Sequence, residues 1–391
     1  MKEEFVQYLW AEQLILSSDL ILVDGTTCQV IKTGDWNEHS GPDFKDAIVR
    51  IGDATWVGQV EVHLCSSDWR AHGHHRDPAY DNVILHLVLE DDEPVMDRKG
   101  KPIPCLVLDK EKYEAHHQQY QNWINKNTDL PCLQQSAETP REVWLNWLSF
   151  LGARRFVEKL NVGWSTLEST RGDIELTRWI LLGRAMGAPL NEDGMEMLIR
   201  TIPWNQVRRR EWGFSDFSNW LLYMAGLANR SFPDHLKHVF VEEPLNKRIW
   251  LYGKLRPSSF PKVRVQQWAW YYFKAILQQQ GEVPFWESTF WSDYPEKNKP
   301  GRQSLHTWRI NMTPYQYVGD WNRKESNAEV WKDISPENNG VINKYVSLFG
   351  QPENAFQSQA LLKLNKEFCR QKKCLNCAVG NHHLKRQLHD R

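Results

Sequence analysis

The hydrophobic pattern of this 391-residue chain changes its period near residue 135, and that change limits the folds open to it. Before this point, an amphipathic helix at residues 3–16 precedes short apolar runs with strand-like alternation between turn residues. After it, most segments repeat apolar residues at helical spacing. We therefore predict an α+β protein, with an α/β sheet domain at residues 1–135 and a mostly α-helical domain at residues 136–391.

The element boundaries follow from these two periods. Strands are predicted at residues 20–23, 29–33, 47–51, 55–65, 82–89 and 103–108. A polar helix is predicted at 111–127, and further helices at 140–160, 173–187, 191–201, 215–229, 234–251, 263–279, 312–324, 338–348 and 353–369. Residues 66–81, punctuated by Gly73 and Pro78, are predicted to be irregular.

Composition excludes several classes of protein. A formal net charge of −1 excludes a polycation that coats nucleic acid. No run of eighteen apolar residues occurs, so no membrane partner is expected. Seven cysteines, an odd number, argue against a secreted disulfide scaffold, and the amino terminus has the pattern of an amphipathic helix rather than a leader. We expect a cytoplasmic protein; its oligomeric state is not indicated.

Residues 34–86 hold the highest density of groups able to bind a metal or move a proton. Alternation along the strand at 55–65 turns Val60 and Val62 towards a core and places Glu61 and His63 side by side on the other face. Because the strand at 82–89 is almost entirely apolar, we expect it to be buried on both faces. If Glu61 and His63 on the strand at 55–65 are buried as well, each needs a polar partner. The candidates are Asp68, His72, His74, His75 and Asp77 in the segment that follows.

Two interpretations of this cluster are open. A solvated sheet face with a hydrogen-bond network that closes the loop would account for any single histidine. A metal site accounts for the group, and carboxylates with imidazoles and no thiolate favour Mg²⁺, Mn²⁺ or Zn²⁺. Such an ion would polarise an acyl or phosphoryl oxygen and lower the pKa of a bound water.

The order Pro42-Asp43, a gap, and then Glu61-Val62-His63 on the second strand of a hairpin resembles the PD-(D/E)XK nuclease superfamily. The resemblance implies a restriction-endonuclease-like sheet preceded by a helix, with Asp43 and Glu61 as metal ligands and Glu12 as a possible further acid. His63 stands where the superfamily has lysine. A neutral imidazole can orient or deprotonate water, but it lacks the fixed positive charge of lysine near a phosphate.

A second resemblance extends from end to end. The segments GPDFKDA, VEVHLCSSDWRAHGHHRDPAYDNVILH, RPSSFPKVR and FCRQKKCLNCAVG together resemble an uncharacterised bacterial family labelled only as a domain of unknown function. This resemblance implies that the two halves form one unit, and it brings no activity.

Cationic segments in the second half suggest phosphate contacts. Arg256, Lys262 and Arg264 surround two prolines and either bind phosphate or pair with carboxylates in a rigid loop. The run at residues 208–210 is either a solvated surface or a further phosphate contact.

Three cysteines near the end form a C-x4-C-x2-C pattern: Cys369, Cys374 and Cys377. With His383 as a fourth ligand they suggest a structural zinc site. The spacing also resembles the iron–sulfur loop of helical DNA glycosylases of the endonuclease III type, but a histidine near the place of the fourth cysteine favours zinc over an iron–sulfur cluster. The alternative is three ordinary thiols.

Three functions are therefore open. The first is a metal-dependent phosphodiesterase or nuclease acting on nucleic acid. In it Asp43 and Glu61 hold Mg²⁺ or Mn²⁺ and His63 positions the attacking water, with supporting side chains from Asp68, His72, His74 and Asp77. The second is a catalytically inactive module that binds nucleic acid or protein. The third is a zinc-dependent hydrolase that uses the histidine-rich loop, with Glu61 as base.

Overall fold

The computed structural model describes residues 1–15, 20–37, 39–132, 138–228, 233–236, 242–253, 255–278, 286–295, 297, 299–318 and 328–389. The chain divides into two compact units, one of Met1–Leu145 with Asn365–Arg391 and the other of Asn146–Leu364. The predicted division into residues 1–135 and 136–391 differs from these units at the carboxyl end, because the cysteine-rich segment packs with the sheet.

Seven strands form one sheet in the first unit. Its order is β1-β2-β4-β5-β6-β7, and β3 pairs with the first residues of β4, on the edge of β4 that β2 pairs with further along. The pairs up to β5 are antiparallel, whereas β5–β6 and β6–β7 are parallel. The strands are β1 (Leu20–Ile21), β2 (Thr27–Lys32), β3 (Asp35–Trp36), β4 (Phe44–Ile51), β5 (Ala54–Val62), β6 (Val83–Val88) and β7 (Cys105–Val107).

The α-helices are numbered α1 to α13 in chain order within the described ranges. They are α1 (Glu3–Ala11), α2 (Asp68–Ala71), α3 (Lys110–Ile124), α4 (Arg141–Ser169), α5 (Ile174–Gly187), α6 (Glu192–Thr201), α7 (Trp204–Val207), α8 (Phe214–Met224), α9 (Pro261–Tyr272), α10 (Arg302–Met312), α11 (Val346–Phe349), α12 (Ala355–Leu364) and α13 (Ala378–His389). None of them combines the length and apolar character needed to cross a bilayer.

A bulge in β4 sets the position of Asp43. The hairpin β4–β5 turns at Gly52, whose φ of 56° lies in the left-handed region that glycine adopts without strain. Asp46 also has a left-handed φ of 55°, and the register with β5 shifts between Phe44 and Ala47. A bulge of this kind re-aims the strand end next to it. Phe44 therefore pairs with Val60, and Asp43 comes beside the end of β5.

The connection between β5 and β6 runs along the carboxyl edge of these two parallel strands. It contains α2 and two 3₁₀ turns, His74–Arg76 and Pro78–Tyr80, where the sequence predicts irregular structure. All six residues of β6 are buried, which confirms that this strand is covered on both faces. The core of the unit lies between the sheet and α1, and includes Phe5, Leu9, Trp10, Val60 and Leu85.

In the second unit, the predicted helices are confirmed at 140–160, 173–187, 191–201, 215–229, 263–279 and 353–369, within a few residues at most ends. The helices at 173–187, 191–201, 215–229 and 263–279 pack around an aromatic core with Trp179, Trp220, Trp268 and Tyr272. Those at 140–160 and 353–369 contribute to a second core, with Phe156 and Phe356. π-Helical turns follow α9 and α12, at Phe273–Leu277 and Asn365–Cys369.

Three helix predictions in the second half are wrong in length or type. Residues 234–251 contain two 3₁₀ turns, Asp234–Leu236 and Lys247–Ile249, and the described residues between them are not helical. Pro244 lies there and has no amide hydrogen to donate. Residues 312–324 contain the 3₁₀ turn Pro314–Tyr317, and their last six positions lie outside the described ranges. Residues 338–348 hold a 3₁₀ turn followed by α11, and α10 was not predicted.

Candidate metal centre

Three histidines lie together at the carboxyl edge of β5. His63, His72 and His74 each offer a ring nitrogen, and these three atoms lie within 4.8 Å of one another. His63 directly follows β5, His72 ends α2, and His74 begins the next 3₁₀ turn. The sequence analysis predicted two of them as metal ligands and His63 as a catalytic group; the structure brings all three to one place.

A glycine places two of these imidazoles. Gly73 stands between His72 and His74 with a φ of 80°, and its N–H donates to the Arg70 carbonyl at 3.0 Å. The left-handed backbone reverses the chain direction after α2. The start of α2 is fixed in turn, because the Cys65 N–H donates to Asp68 Oδ2 at 3.0 Å. The loop is therefore held at both ends of its first turn.

The distances between possible donor atoms match a single ion. His72 Nδ1 lies 3.1 Å from His63 Nε2. Glu61 Oε1 lies 3.3 Å from His74 Nε2 and 3.6 Å from His63 Nε2. Ligands at 2.0–2.1 Å around a tetrahedral zinc ion are about 3.3 Å apart. The three imidazoles are thus close enough together to bind one divalent ion, and Glu61 lies beside two of them, outside the group of three.

Asp43 and Glu61, the two carboxylates predicted as metal ligands, have different contacts. Glu61 Oε2 accepts the Asp43 N–H at 3.1 Å, which leaves Oε1 facing the imidazoles. Asp43 Oδ2 accepts the Val62 N–H at 3.0 Å, and Oδ1 accepts from the Gln7 side chain at 2.9 Å. Burial and the nearby Glu61 charge raise the pKa of Asp43 to about 7. Asp43 therefore holds the end of β5 in place, whereas Glu61 faces the candidate ion.

His63 is supported from behind by His86 of β6. Its Nδ1 lies 2.8 Å from His86 Nε2. Burial, together with the imidazoles of His86, His74 and His72, lowers the pKa of His63 to about 2. Burial and His74 lower the pKa of His86 to about 4. Both rings are therefore neutral at neutral pH, which is the form of histidine that binds metals.

Aromatic contacts orient His74. Its ring stacks on Tyr80, with ring centroids 3.8 Å apart and planes tilted by 24°. The indole of Trp69 meets it edge-on at 5.4 Å. Burial, followed by the Glu61 charge, raises the pKa of Tyr80 to about 12. Tyr80 therefore remains a neutral phenol beside the site.

Helix α1 adds two residues that the sequence analysis missed. Gln7 donates to Asp43, and burial followed by the Glu61 charge raises the pKa of Glu3, on which His72, Asp68 and His74 also act. Glu12, expected as the further acid, instead accepts from Asn381 and forms an ion pair with Lys385. The spacing of four residues places Glu3 and Gln7 on one face of α1, whereas Glu12 lies past its end.

Asp77, a predicted ligand, lies outside the group. It is exposed, and its Oδ1 accepts the Ala79 N–H at 2.9 Å, which caps the second 3₁₀ turn. Aspartate favours this capping role because its short side chain reaches the backbone two residues ahead. Asp77 therefore shapes the loop.

The predicted phosphate-binding cations do not share one environment. Arg264 is buried and donates to Gln267 at 2.8 Å and to Ser259 at 3.0 Å, and its guanidinium lies 4.8 Å from the Trp308 ring centroid. Burial lowers its pKa to about 10. Arg256 is exposed and Lys262 is partly exposed. Arg264 therefore acts within the core of the second unit.

The C-terminal cysteines and His383 have different surroundings. Cys369, Cys374 and Cys377 are buried thiols in the first unit. His383 is also buried, but its Nε2 lies 2.7 Å from Thr139 Oγ1. Burial and His382 lower its pKa to about 4, and the other charges acting on it are Glu138 and Arg386 rather than cysteine. The predicted fourth ligand therefore has a different partner.

Comparison with known proteins gives a family and no activity. No curated protein and no solved structure matches the chain. The model of one family matches residues 3–315, which contain the whole candidate metal centre but not the C-terminal cysteines that the expected resemblance included. Because the match covers most of the chain, the protein belongs to the family described as "Protein of unknown function (DUF2851)".

Proposed function

We propose that this protein is a metal-dependent hydrolase whose ion is held by His63, His72 and His74. The observation that carries the proposal is the group of three ring nitrogens within 4.8 Å, with Glu61 Oε1 3.3 Å from one of them. Imidazole ligands suit Zn²⁺ or Mn²⁺ better than Mg²⁺, which prefers oxygen. Both Asp43 oxygens already accept hydrogen bonds, which argues against an ion held by Asp43 and Glu61 alone.

The geometry supports activation of water. An ion held by these three imidazoles would keep one coordination position for a water molecule and would lower its pKa. The Asp43 N–H fixes one oxygen of Glu61, so the other faces the space beside the imidazoles. Glu61 is therefore suited to take the proton from that water.

The proposed substrate is a phosphodiester in nucleic acid. The order of elements supports it: α1 precedes a hairpin with Asp43 at the start of β4 and Glu61-Val62-His63 at the end of β5. That order resembles the PD-(D/E)XK superfamily, and we propose a restriction-endonuclease-like arrangement on this ground. Glu3 supplies the helix-borne acid.

A binding module without turnover is the second candidate, because the site has no lysine. The charged groups that act on Asp43 are Glu61 and Glu3, and those on His63 are other histidines. An anionic substrate would meet negative charge unless an ion compensates it. Both candidates therefore require that phosphate binding depends on the metal, and only turnover separates them.

The test begins with protein stripped by a chelator and reloaded with Zn²⁺, Mn²⁺ or Mg²⁺. Labelled single-stranded DNA, duplex DNA and RNA, bis(p-nitrophenyl) phosphate and p-nitrophenyl acetate serve as substrates. We expect phosphodiester cleavage with Zn²⁺ or Mn²⁺, and a loss of at least a hundredfold in Glu61→Gln. Glu114→Gln, an exposed carboxylate on α3, is the matched control.

Each other outcome has a definite meaning. Cleavage of the acetate ester alone would keep the hydrolase and exclude the phosphodiester assignment. Metal-dependent binding of nucleic acid without turnover would favour the binding module. Turnover that survives both Glu61→Gln and a His72→Ala, His74→Ala double change would contradict the proposed site.

A further inference from the structure

A second cluster of metal-binding side chains lies in the first unit, and the proposed function does not use it. Cys374 is buried in the core formed by the sheet, α1 and α3. Cys132 packs against the same core and is partly exposed. Cys369 and Cys377 are also buried.

Two consecutive turns fold the three C-terminal cysteines together. After Cys369, the Lys373 N–H donates to the Phe368 carbonyl at 2.9 Å and the Lys372 N–H donates to the Cys369 carbonyl at 3.1 Å. These two bonds form a Schellman motif, in which Lys372 takes the left-handed position with a φ of 56°. The Cys377 N–H then donates to the Cys374 carbonyl at 3.4 Å, immediately before α13.

A lysine ties this turn to the segment that leads to Cys132. The ammonium group of Lys372 donates to the carbonyls of Ile124 and Lys126, the latter at 3.2 Å. Ile124 is the last residue of α3, and the chain then runs to Cys132. The contact holds the two cysteine-bearing segments side by side.

The electrostatic interactions of the Cys374 thiol identify two neighbouring cysteines. Burial raises the pKa of its thiol, and the next contributions come from the thiolates of Cys132 and Cys377. His383, by contrast, interacts with Thr139, His382, Glu138 and Arg386. The fourth side chain at this cluster is therefore a cysteine from far upstream in the sequence.

We infer that Cys132, Cys369, Cys374 and Cys377 form a metal centre with four thiolate ligands. Four cysteine ligands suit a thiophilic centre, which means zinc or an iron–sulfur cluster. The centre would join the segment after α3 to the carboxyl-terminal segment of the chain. It stands independently of the proposed hydrolase, since none of its ligands belongs to the histidine group.

The spacing of the four sulfurs differs from that around a single zinc ion. Ligands at 2.3 Å around a single tetrahedral zinc ion are about 3.8 Å apart. Among the described residues, which include all four cysteines, no three of their sulfur atoms lie within 4.8 Å of one another. In a four-iron cluster each thiolate bonds a different iron, so the ligands stand further apart.

The first experiment uses the unaltered protein, purified without oxygen and without added metal. Iron, acid-labile sulfide and zinc are measured, and each thiol is alkylated before and after removal of metal, with peptide mapping. We expect Cys132 to be protected in the native protein and to react after metal removal. Cys105, which is also partly exposed and lies outside the histidine loop, is the control that should react equally in both states. Equal reactivity of Cys132 in both states would overturn the inference.

The second experiment identifies the ligands by substitution in a His72→Ala, His74→Ala background, where the histidine group holds no metal. Cys132→Ala and Cys374→Ala should each lose the bound metal, whereas Cys28→Ala and His383→Ala should keep it. Iron with sulfide and visible absorption identifies a cluster, and one zinc per chain identifies a mononuclear site; both uphold the four-thiolate set. Metal kept in Cys132→Ala but lost in His383→Ala would overturn it.

Discussion

His63 Nδ1 lies 2.8 Å from His86 Nε2, and in the tautomer that donates from Nδ1 this contact leaves Nε2 of His63 available to a metal. A neutral imidazole carries one proton, so donation from Nδ1 leaves the lone pair of Nε2 facing His72 and Glu61. His86 then carries its own proton on Nδ1, which is buried and has no hydrogen-bond partner. A buried N–H without a hydrogen-bond partner destabilises the fold. We attribute the position of His86 to its role in orienting His63 as a metal ligand.

We therefore expect His86→Leu to weaken the metal centre without removing a ligand. Loss of the partner that fixes a metal-binding histidine lowers affinity by roughly 10- to 100-fold. Calorimetric titration of the chelator-treated protein with Zn²⁺ measures it, with His306→Leu in the second unit as control. An unchanged dissociation constant would separate His86 from the metal centre.

Gly73 tests whether the reversal between His72 and His74 positions them. Because its φ is 80° and an added Cβ would meet no atom within 4 Å, Gly73→Ala introduces backbone strain alone, of about 1 kcal/mol. We expect a small loss of stability and a several-fold weaker metal affinity. Gly340→Ala is the matched control, since Gly340 has equal space and no left-handed φ. Equal effects of the two changes on metal affinity would contradict this role.

Lys159 should make the stability of the second unit depend on pH. Burial and the charge of Arg155 lower its pKa from 10.5 to about 8. Between these values the unfolded chain binds the proton and the folded chain does not, so stability rises with pH from about 8 to about 10.5. The gain is at most about 3 kcal/mol.

Urea unfolding across this pH range compares the unaltered protein with Lys159→Met. We expect the difference in free energy of unfolding to move in favour of the unaltered chain as pH rises, and to be constant below pH 8. A constant difference throughout would show that Lys159 keeps an ordinary pKa in the folded protein.

Substitution of Arg264 tests whether this residue stabilises the fold or binds phosphate. Because its guanidinium is buried, bonded to Gln267 and Ser259 and placed on Trp308, Arg264→Ala should destabilise the protein by about 2–4 kcal/mol. Arg256→Ala, at an exposed position, should change stability by less than about 0.5 kcal/mol. Thermal unfolding measures both, and similar small effects would contradict the internal role of Arg264.

Sequence reasoning pointed to the candidate centre because its candidate ligands lie close together in the chain. Alternation along β5 placed Glu61 and His63 on one face, and the apolar composition of β6 indicated that this face is buried. Sequence reasoning could not assign different roles to Asp43 and Glu61, because these roles depend on backbone N–H groups brought together by the β4 bulge.

Long-range contacts account for most of what sequence reasoning missed. Glu3 reaches the centre only because α1 packs beside the end of β5, and local periodicity does not report that packing. Lys372 donates to the carbonyls of Ile124 and Lys126, and this contact between segments far apart in the sequence brings the chain that leads to Cys132 beside the C-terminal segment. The incorrect prediction of one helix at 234–251 has a local cause, because the helical spacing of apolar residues was given more weight than Pro244.

The most direct measurement is anomalous diffraction from crystals of the zinc-loaded protein, collected on both sides of the zinc absorption edge. The account predicts a peak about 2.0–2.1 Å from one ring nitrogen each of His63, His72 and His74, and no such peak in a His72→Ala, His74→Ala crystal. Zinc confined to the cysteine cluster, with these three imidazoles bonded only to one another and to Glu61, would contradict the central claim.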